Sequence, residues 1–213
     1  MSLERLRGRL FYQGALLGMV TLLTTAALVL ASRLTGPDIA AAAARDLKQS
    51  LAQVLPGAYD NDLLQDTLTL PGPEGAVTVY RARRGGRVEA VVFQVVGKGY
   101  AGPIVCIMGV DRTGEVLGVR VLAHKETPGL GDKIETAKGD WILAFTGRSL
   151  DAPTPDRWAV KKDGGLFDEF TGATITPRAV VGAVKAGLEF FARERSRLLD
   201  ETAAADGRGK EAA

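Results

Sequence analysis

Residues 76–96 read AVTVYRARRGGRVEAVVFQVV, and this stretch decides the fold. AVTVYRA (76–82) and RVEAVVFQVV (87–96) are rich in β-branched and aromatic residues, and RRGG between them carries a glycine pair suited to a tight turn. Strands joined so closely run antiparallel. The pattern returns downstream, where IVCIMGV (104–110) and EVLGVRVLA (115–123) flank DRTG. At least four antiparallel strands are therefore expected. Arg81, Arg83, Arg84 and Arg87 cluster around the first turn and are expected to form a solvated hairpin tip.

Helical signals surround the strands. Residues 38–55, DIAAAAARDLKQSLAQVL, predict a helix. Asp38 is its expected N-cap, Leu47, Leu51, Val54 and Leu55 form one face, and Pro56-Gly57 stops it. Residues 129–146 read as helix and loop carrying Trp141, and WAVKKDGG (158–165) as a short strand entering a turn. The last helix is expected from near Pro177 to about Leu199, with Val180, Val184, Leu188 and Phe191 at helical spacing. The fold class is α+β, an N-terminal apolar helix followed by antiparallel strands with packed helices.

The run from Leu10 to Ser32, LFYQGALLGMVTLLTTAALVLAS, contains no charge. As a helix it spans roughly 34 Å, enough to cross a bilayer core. Arg5, Arg7 and Arg9 precede it, and the charges after it are mixed. The positive-inside rule then leaves the N-terminus in the cytoplasm. A retained anchor is preferred to a cleaved signal peptide because the apolar segment exceeds the usual ~7–15 residues. The expected organisation is a cytoplasmic N-terminus (1–9), a transmembrane helix (10–32), an extracytoplasmic domain (33–200) and a disordered tail (201–213).

Several function classes are disfavoured. The net charge is only +2, and beyond the N-terminal arginines the chain is neutral, so nucleic-acid binding is not expected. A single cysteine, Cys106, rules out an internal disulfide or a self-supplied four-cysteine cluster. It sits in an apolar run and is expected in the core. With one histidine, His124, neither a histidine-rich metal site nor a histidine-based hydrolase fits, and no resident metal is expected. GKGYAG (97–102) has the GxGxxG spacing, but Pro103 and a strand follow it where a dinucleotide site needs a helix. Its glycines suit a turn that lets something approach the backbone.

The remaining signal is FDEFTGATITPRAV, residues 167–180, with Thr171, Thr174 and Thr176 ahead of Pro177. Thr176 is expected to cap the last helix, with Pro177 at its first position. Thr174 then lies beside a helix N-terminus, flanked by the small Gly172 and Ala173, where an anion is favoured. On residue chemistry alone, a loop of turn formers stays ahead of a phosphate site.

Asp168-Glu-Phe-Thr171-Gly172-Ala173-Thr174 resembles the DxxTGAT flavinylation motif. HKETPGLGDKIE (124–135) and GKGYAGPI (97–104) resemble the flavin-domain loop and glycine turn of the RnfG family. These are the FMN-carrying subunits of Rnf ion-translocating electron transport complexes, and they are related to NqrC. The resemblance runs from the apolar helix to the last helix. It implies a subunit of a ferredoxin:NAD oxidoreductase complex in the cell inner membrane, with its FMN domain outside the cytoplasm and no stand-alone catalysis. It implies FMN joined through its phosphate to Thr174 by a flavin transferase of the ApbE type, for which Asp168 and Thr171 serve as recognition residues. By the same resemblance Glu126, Thr127, Gly129, Leu130 and Gly131 face the flavin, as do Gly172, Ala173 and Ile175. Trp141 or Leu130 can stack on the ring, with an ordinary core role for Trp141 equally open. Lys161 and Lys162 are near enough in sequence to meet the phosphate. Partners implied are the other membrane and cytoplasmic subunits of such a complex. An NqrC-type subunit and a flavin-free anchored scaffold are the competing readings.

Overall fold

The computed structural model describes residues 3–72 and 75–201. From residue 202 onward the expected disordered tail lies outside the described residues. The chain divides into two compact units, Met1–Leu47 and Lys48–Ala213.

The first helix, α1, is unbroken over Leu3–Val54. Asp38 therefore lies inside a helix and does not cap one. Pro37 removes one N–H from the ladder, but the Leu- and Ala-rich runs on both sides are strong helix formers and the turn continues. Within it Phe11–Gly36 has a mean hydropathy of 2.1 and is long enough to cross a membrane. Thr21 and Thr24 donate their hydroxyls to the carbonyls of Leu17 and Val20, so these polar groups are satisfied within the helix itself.

In the second unit, five strands form one antiparallel sheet in sequence order: β1 (Thr67–Gly72), β2 (Gly75–Arg84), β3 (Arg87–Lys98), β4 (Pro103–Asp111) and β5 (Val116–Ala123). The predicted hairpins are β2–β3, closed by Gly85 and Gly86, and β4–β5. β1 is additional to the four strands read from the sequence. In the β3–β4 pairing Phe93 stands opposite Met108.

The C-terminal helix α2 (Ile175–Leu198) covers one sheet face. Phe190 meets Phe93 edge-on at 5.3 Å between ring centroids. The spacing is close because glycines permit it: a Cβ on Gly97 would lie 2.5 Å from the carbonyl oxygen of Ala179, and one on Gly187 would lie 2.5 Å from Met108 Sδ. On the other face, Leu51 and Val54 at the end of α1 are fully buried, and the Val54 backbone abuts Gly109 and Gly118. Cys106 is a core residue, and burial pushes its thiol up to about 12.

Between β5 and α2 the chain makes short 3-10 turns, including Asp132–Ile134, Trp141–Phe145 and Lys161–Asp163. WAVKKDGG is not a strand. Val160 makes one isolated parallel bridge to Phe167, and a 3-10 turn follows at once. The turn ends at Gly164, whose φ of 84° leaves the extended region.

The arginine cluster is not a solvated tip either. Arg81 is fully buried and pairs with Asp66 at 2.6 Å, and Arg83 pairs with the same carboxylate at 2.5 Å. Arg81 also donates to the carbonyl of Asp200, just beyond α2. A buried guanidinium needs this many acceptors. Only Arg84 and Arg87 remain exposed as expected.

Candidate functional site

Three segments converge around the start of α2. The first is the β3–β4 turn at 99–102, where Gly99 donates its N–H to the Gly102 carbonyl. No helix follows it, so the dinucleotide reading fails as anticipated. What approaches this backbone is a carboxylate: Glu126 Oε1 accepts the Ala101 N–H at 2.9 Å.

The second segment, 124–131, leaves β5. Leu130 and Gly131 both donate N–H groups to the Thr127 carbonyl, and Gly129 donates to Asp132 Oδ1 at 2.8 Å. Gly129 has φ of 79°, and a Cβ there would meet nothing within 4 Å. Its backbone faces open space. Leu130 is 43 % exposed. Gly131 is set by packing. A Cβ there would come within 2.8 Å of Glu126 Cβ and 2.9 Å of Thr176 Oγ1, so this glycine clears room inside the domain.

Within this loop the Glu126 side chain turns into the domain. It is buried, with one oxygen on Ala101 and the other receiving the Thr176 hydroxyl. Its amide donates to His124 Nδ1, and His124 Nε2 contacts Glu135 at 2.6 Å. Burial pushes the Glu126 carboxyl up. The hydrogen bonds from Thr176, Ala101 and Tyr100, with His124 nearby, outweigh it and leave the pKa below its ordinary value of 4.5. A depressed carboxyl stabilises the fold above its unfolded-state value and loses that contribution as pH falls through the lower folded value. Melting temperature should therefore fall more steeply below about pH 4.5 in the native chain than in Glu126→Gln, measured by circular dichroism across a pH series. Parallel curves would remove Glu126 from the acid response.

The third segment is the threonine turn. Gly172 has φ of 83°, a conformation that favours glycine, and Ala173 donates to the Phe170 carbonyl. The helix starts two residues earlier than expected. Thr174 is the N-cap residue, Ile175 begins the helix, and Thr176 and Pro177 lie within its first turn. Proline is tolerated there because first-turn N–H groups have no intrahelical partner. Thr176 is thus not the cap. Its hydroxyl is buried against Glu126, fifty residues away in sequence, a pairing that no local spacing announces. Thr174, at the cap position, makes no side-chain capping bond. Its hydroxyl stands at the positive end of a 24-residue helix.

Trp141 is a holder of this turn. Its indole N–H donates to the Asp168 carbonyl at 2.8 Å, and its ring meets Phe170 and Phe145 edge-on. The Asp168 carboxylate pairs with Lys161 at 2.5 Å, both side chains being exposed. The Lys162 backbone N–H donates to the Glu169 carboxylate. The loop and the threonine turn do meet, since a Cβ on Gly172 would lie 3.6 Å from Leu130. Ile175 is 45 % exposed beside them, and Ala173 packs on the core.

These residues fit a phosphate-linked flavin. An uncommitted hydroxyl sits at an open helix N-terminus, beside an exposed leucine and a glycine backbone with empty space before it. A separate groove of about 330 Å³ between β2, β3 and α2 is lined mainly by apolar groups such as Val77, Phe93, Ala186 and Phe190, and includes none of the residues of the threonine turn. Among the described residues no cluster suited to a metal ion occurs.

The family model described as the FMN-binding domain matches residues 99–189, which takes in all three segments. The G subunit of the ion-translocating oxidoreductase complex of Cereibacter sphaeroides is 56 % identical over 188 residues, covering 87 % of this chain and 86 % of its own. Its counterpart in Stutzerimonas stutzeri is 52 % identical over 193 residues, covering 90 % and 85 %. Among solved structures, Shewanella oneidensis NqrC aligns with a TM-score of 0.48 at 25 % identity, over 65 % of this chain and 74 % of that one. With relatives this similar over nearly its whole length, the chain belongs to the RnfG family, the G subunits of ion-translocating oxidoreductase complexes.

Proposed function

We propose that this chain is a membrane-anchored electron-transfer subunit of an ion-translocating oxidoreductase complex, carrying FMN bonded through its phosphate to Thr174. The observation that carries the reading is the Thr174 hydroxyl, unused by the fold at the N-terminus of α2 within a DxxTGAT turn. FMN, when bound, supplies the redox chemistry. The chain's own residues bind and position. Thr174 offers the attachment oxygen, and the first-turn amides and helix dipole favour the phosphate charge. Gly129 opens the backbone toward the flavin, and Leu130 and Ile175 supply apolar surface. Trp141 holds the Asp168 carbonyl and orients the turn by its hydrogen bond.

A flavin transferase of the ApbE type, using FAD, makes the attachment, with Asp168 and Thr171 recognised as part of the turn. The complex exchanges electrons between ferredoxin and NAD. Purified, denatured chain should keep flavin fluorescence in a gel and carry the mass of one FMN phosphoester on the peptide containing Thr174. Flavin that separates on denaturation would defeat covalent attachment. Recovery with a ferredoxin-oxidising cytoplasmic subunit separates this assembly from a quinone-reducing one.

The apolar segment of α1 anchors the chain in the cytoplasmic membrane. Arg5, Arg7 and Arg9 stay inside, and residues 33–213 lie outside. A reporter active only in the periplasm, fused after Ala205, should be active, and a cytoplasm-only reporter silent. The opposite pattern would reverse the topology and the compartment of flavin attachment.

A further inference from the structure

Among the described residues four polar or charged side chains are buried: Arg81, Glu126, Asp132 and Thr176. Two of them form a seam at the first turn of α2, where Glu126 receives the Thr176 hydroxyl, and Asp132 receives the Gly129 amide within the neighbouring loop. Stability alone does not favour this arrangement, because apolar groups of similar volume generally serve a core as well or better than buried charge. The seam also constrains its neighbours. Besides the space cleared at Gly131, a Cβ on Gly99 would stand 2.5 Å from Glu126 Oε1. Two glycines in separate segments make way for one carboxylate.

We propose that Glu126 and Thr176 are positioning residues for flavin attachment. The carboxylate fastens the first turn of α2 to the 99–102 turn and the 124–131 loop, and so sets the pose in which Thr174 offers its hydroxyl. This rests on the covalent reading above. Thr176 is not a second attachment point, since its hydroxyl is buried and given inward to Glu126. Thr174 lies two residues away on the same turn, so a shift of that turn moves its oxygen directly.

The reaction makes that pose matter. The Thr174 oxygen bonds to the flavin-side phosphorus of FAD as the pyrophosphate bond breaks. AMP leaves with the bonding electrons, and the hydroxyl proton passes to a base of the transferase. In such a displacement the attacking and leaving oxygens are roughly in line, and a misplacement of about 1 Å can cost on the order of a hundredfold in rate.

The test measures initial rates of flavinylation on the full chain with an ApbE-type transferase, FAD and a divalent metal, read by intact mass. Melting temperature is recorded for each variant. Thr176→Val removes the hydroxyl at constant shape, and Thr176→Ser restores it. Val184→Ala opens a cavity in α2, where Val184 is fully buried, eight residues and about 12 Å along the helix from Thr176. Thr176→Val and Glu126→Ala should be slowed roughly tenfold to hundredfold. Thr176→Ser and Val184→Ala should stay within about twofold of the native rate, although Val184→Ala melts earlier. A native rate in Thr176→Val, or an equal slowing in Val184→Ala at matched melting temperature, would overturn the proposal. If Glu126→Ala does not fold, the Thr176 pair decides. No modification of the native chain, or full modification of Thr174→Ala, would overturn the attachment reading and this inference with it.

Discussion

Thr174→Ala should abolish covalent flavin completely and leave the domain folded. Alanine has no oxygen to bond phosphorus, so longer exposure to the transferase cannot rescue it. The stability cost should be small. Replacing a capping threonine costs about 0.5–2 kcal/mol when its cap bond is made, and Thr174 makes none. The three threonines then separate by behaviour. Thr174→Ala gives no product at any time. Thr176 variants give product slowly, and Thr171→Val lowers modification through poorer recognition while keeping the attachment atom. Thr174→Ser should restore attachment. Gel fluorescence of the denatured band and intact mass at long reaction times read all four. Full FMN on Thr174→Ala would show that the attachment atom is elsewhere.

Gly97→Ala should be among the most destabilising single-methyl changes in the second unit. The added carbon would stand 2.5 Å from the carbonyl oxygen and 2.9 Å from the carbonyl carbon of Ala179. Both are backbone atoms of α2 and cannot rotate away, so the helix must lift from β3. Overpacking of this kind costs about 1–3 kcal/mol, and each kcal/mol lowers the melting temperature of a domain this size by about 2–4 °C. Gly182 supplies the matched control. It lies on the same helix, is exposed, and a Cβ there would meet nothing within 4 Å. Gly182→Ala should raise stability by roughly 0.5–1 kcal/mol through helix propensity alone. Thermal melts of the two variants should move in opposite directions. A stabilised Gly97→Ala would mean that α2 and β3 are not packed as closely as described.

The parts of the fold legible in the sequence are those with a local cause. The β2–β3 hairpin follows from β-branched runs on either side of Gly85-Gly86. The buried face of α1 ending in Leu51 and Val54, and the apolar spacing of α2, follow from helical periodicity. β1 is harder to see because TLTLPG (67–72) is short and holds a proline and a glycine. Asp38 is a cap-type residue at the head of the run 38–55, yet helix formers on both sides carry the turn through it. The arginine cluster misled because sequence shows the charges near Gly85 and not the carboxylate of Asp66 or the carbonyl of Asp200 that receive them.

The site divides in the same way. DxxTGAT is a contiguous motif that ends against a proline-led helix, so the place of Thr174 beside a helix N-terminus is legible from the sequence. The inward orientation of Glu126 depends on Ala101 and Thr176, 25 and 50 residues distant. A resemblance transfers the loop but not the direction each side chain takes. Trp141 stands open in the sequence between stacking and core; its ring packs against the core, and the bond to Asp168 adds a third role. Its signal in the sequence was only the preference of a half-buried indole N–H for an acceptor.

The strictly sequential order of the sheet bears on when the attachment site comes into being. Each strand pairs with the one made just before it, so a chain emerging N-terminus first can add strands one after another, with short loops to close. Of the described elements α2 is the last to emerge, and it covers the face containing Phe93 and Met108. Until its first turn has docked, Glu126 has no Thr176 to hold and Thr174 stands at no helix end. Nascent chains released before residue 175 should therefore be poor substrates for a transferase that needs the docked turn, even though most of the sheet is already present. Such an order makes flavin loading a late event, a mark carried by chains in which α2 has already docked on the sheet.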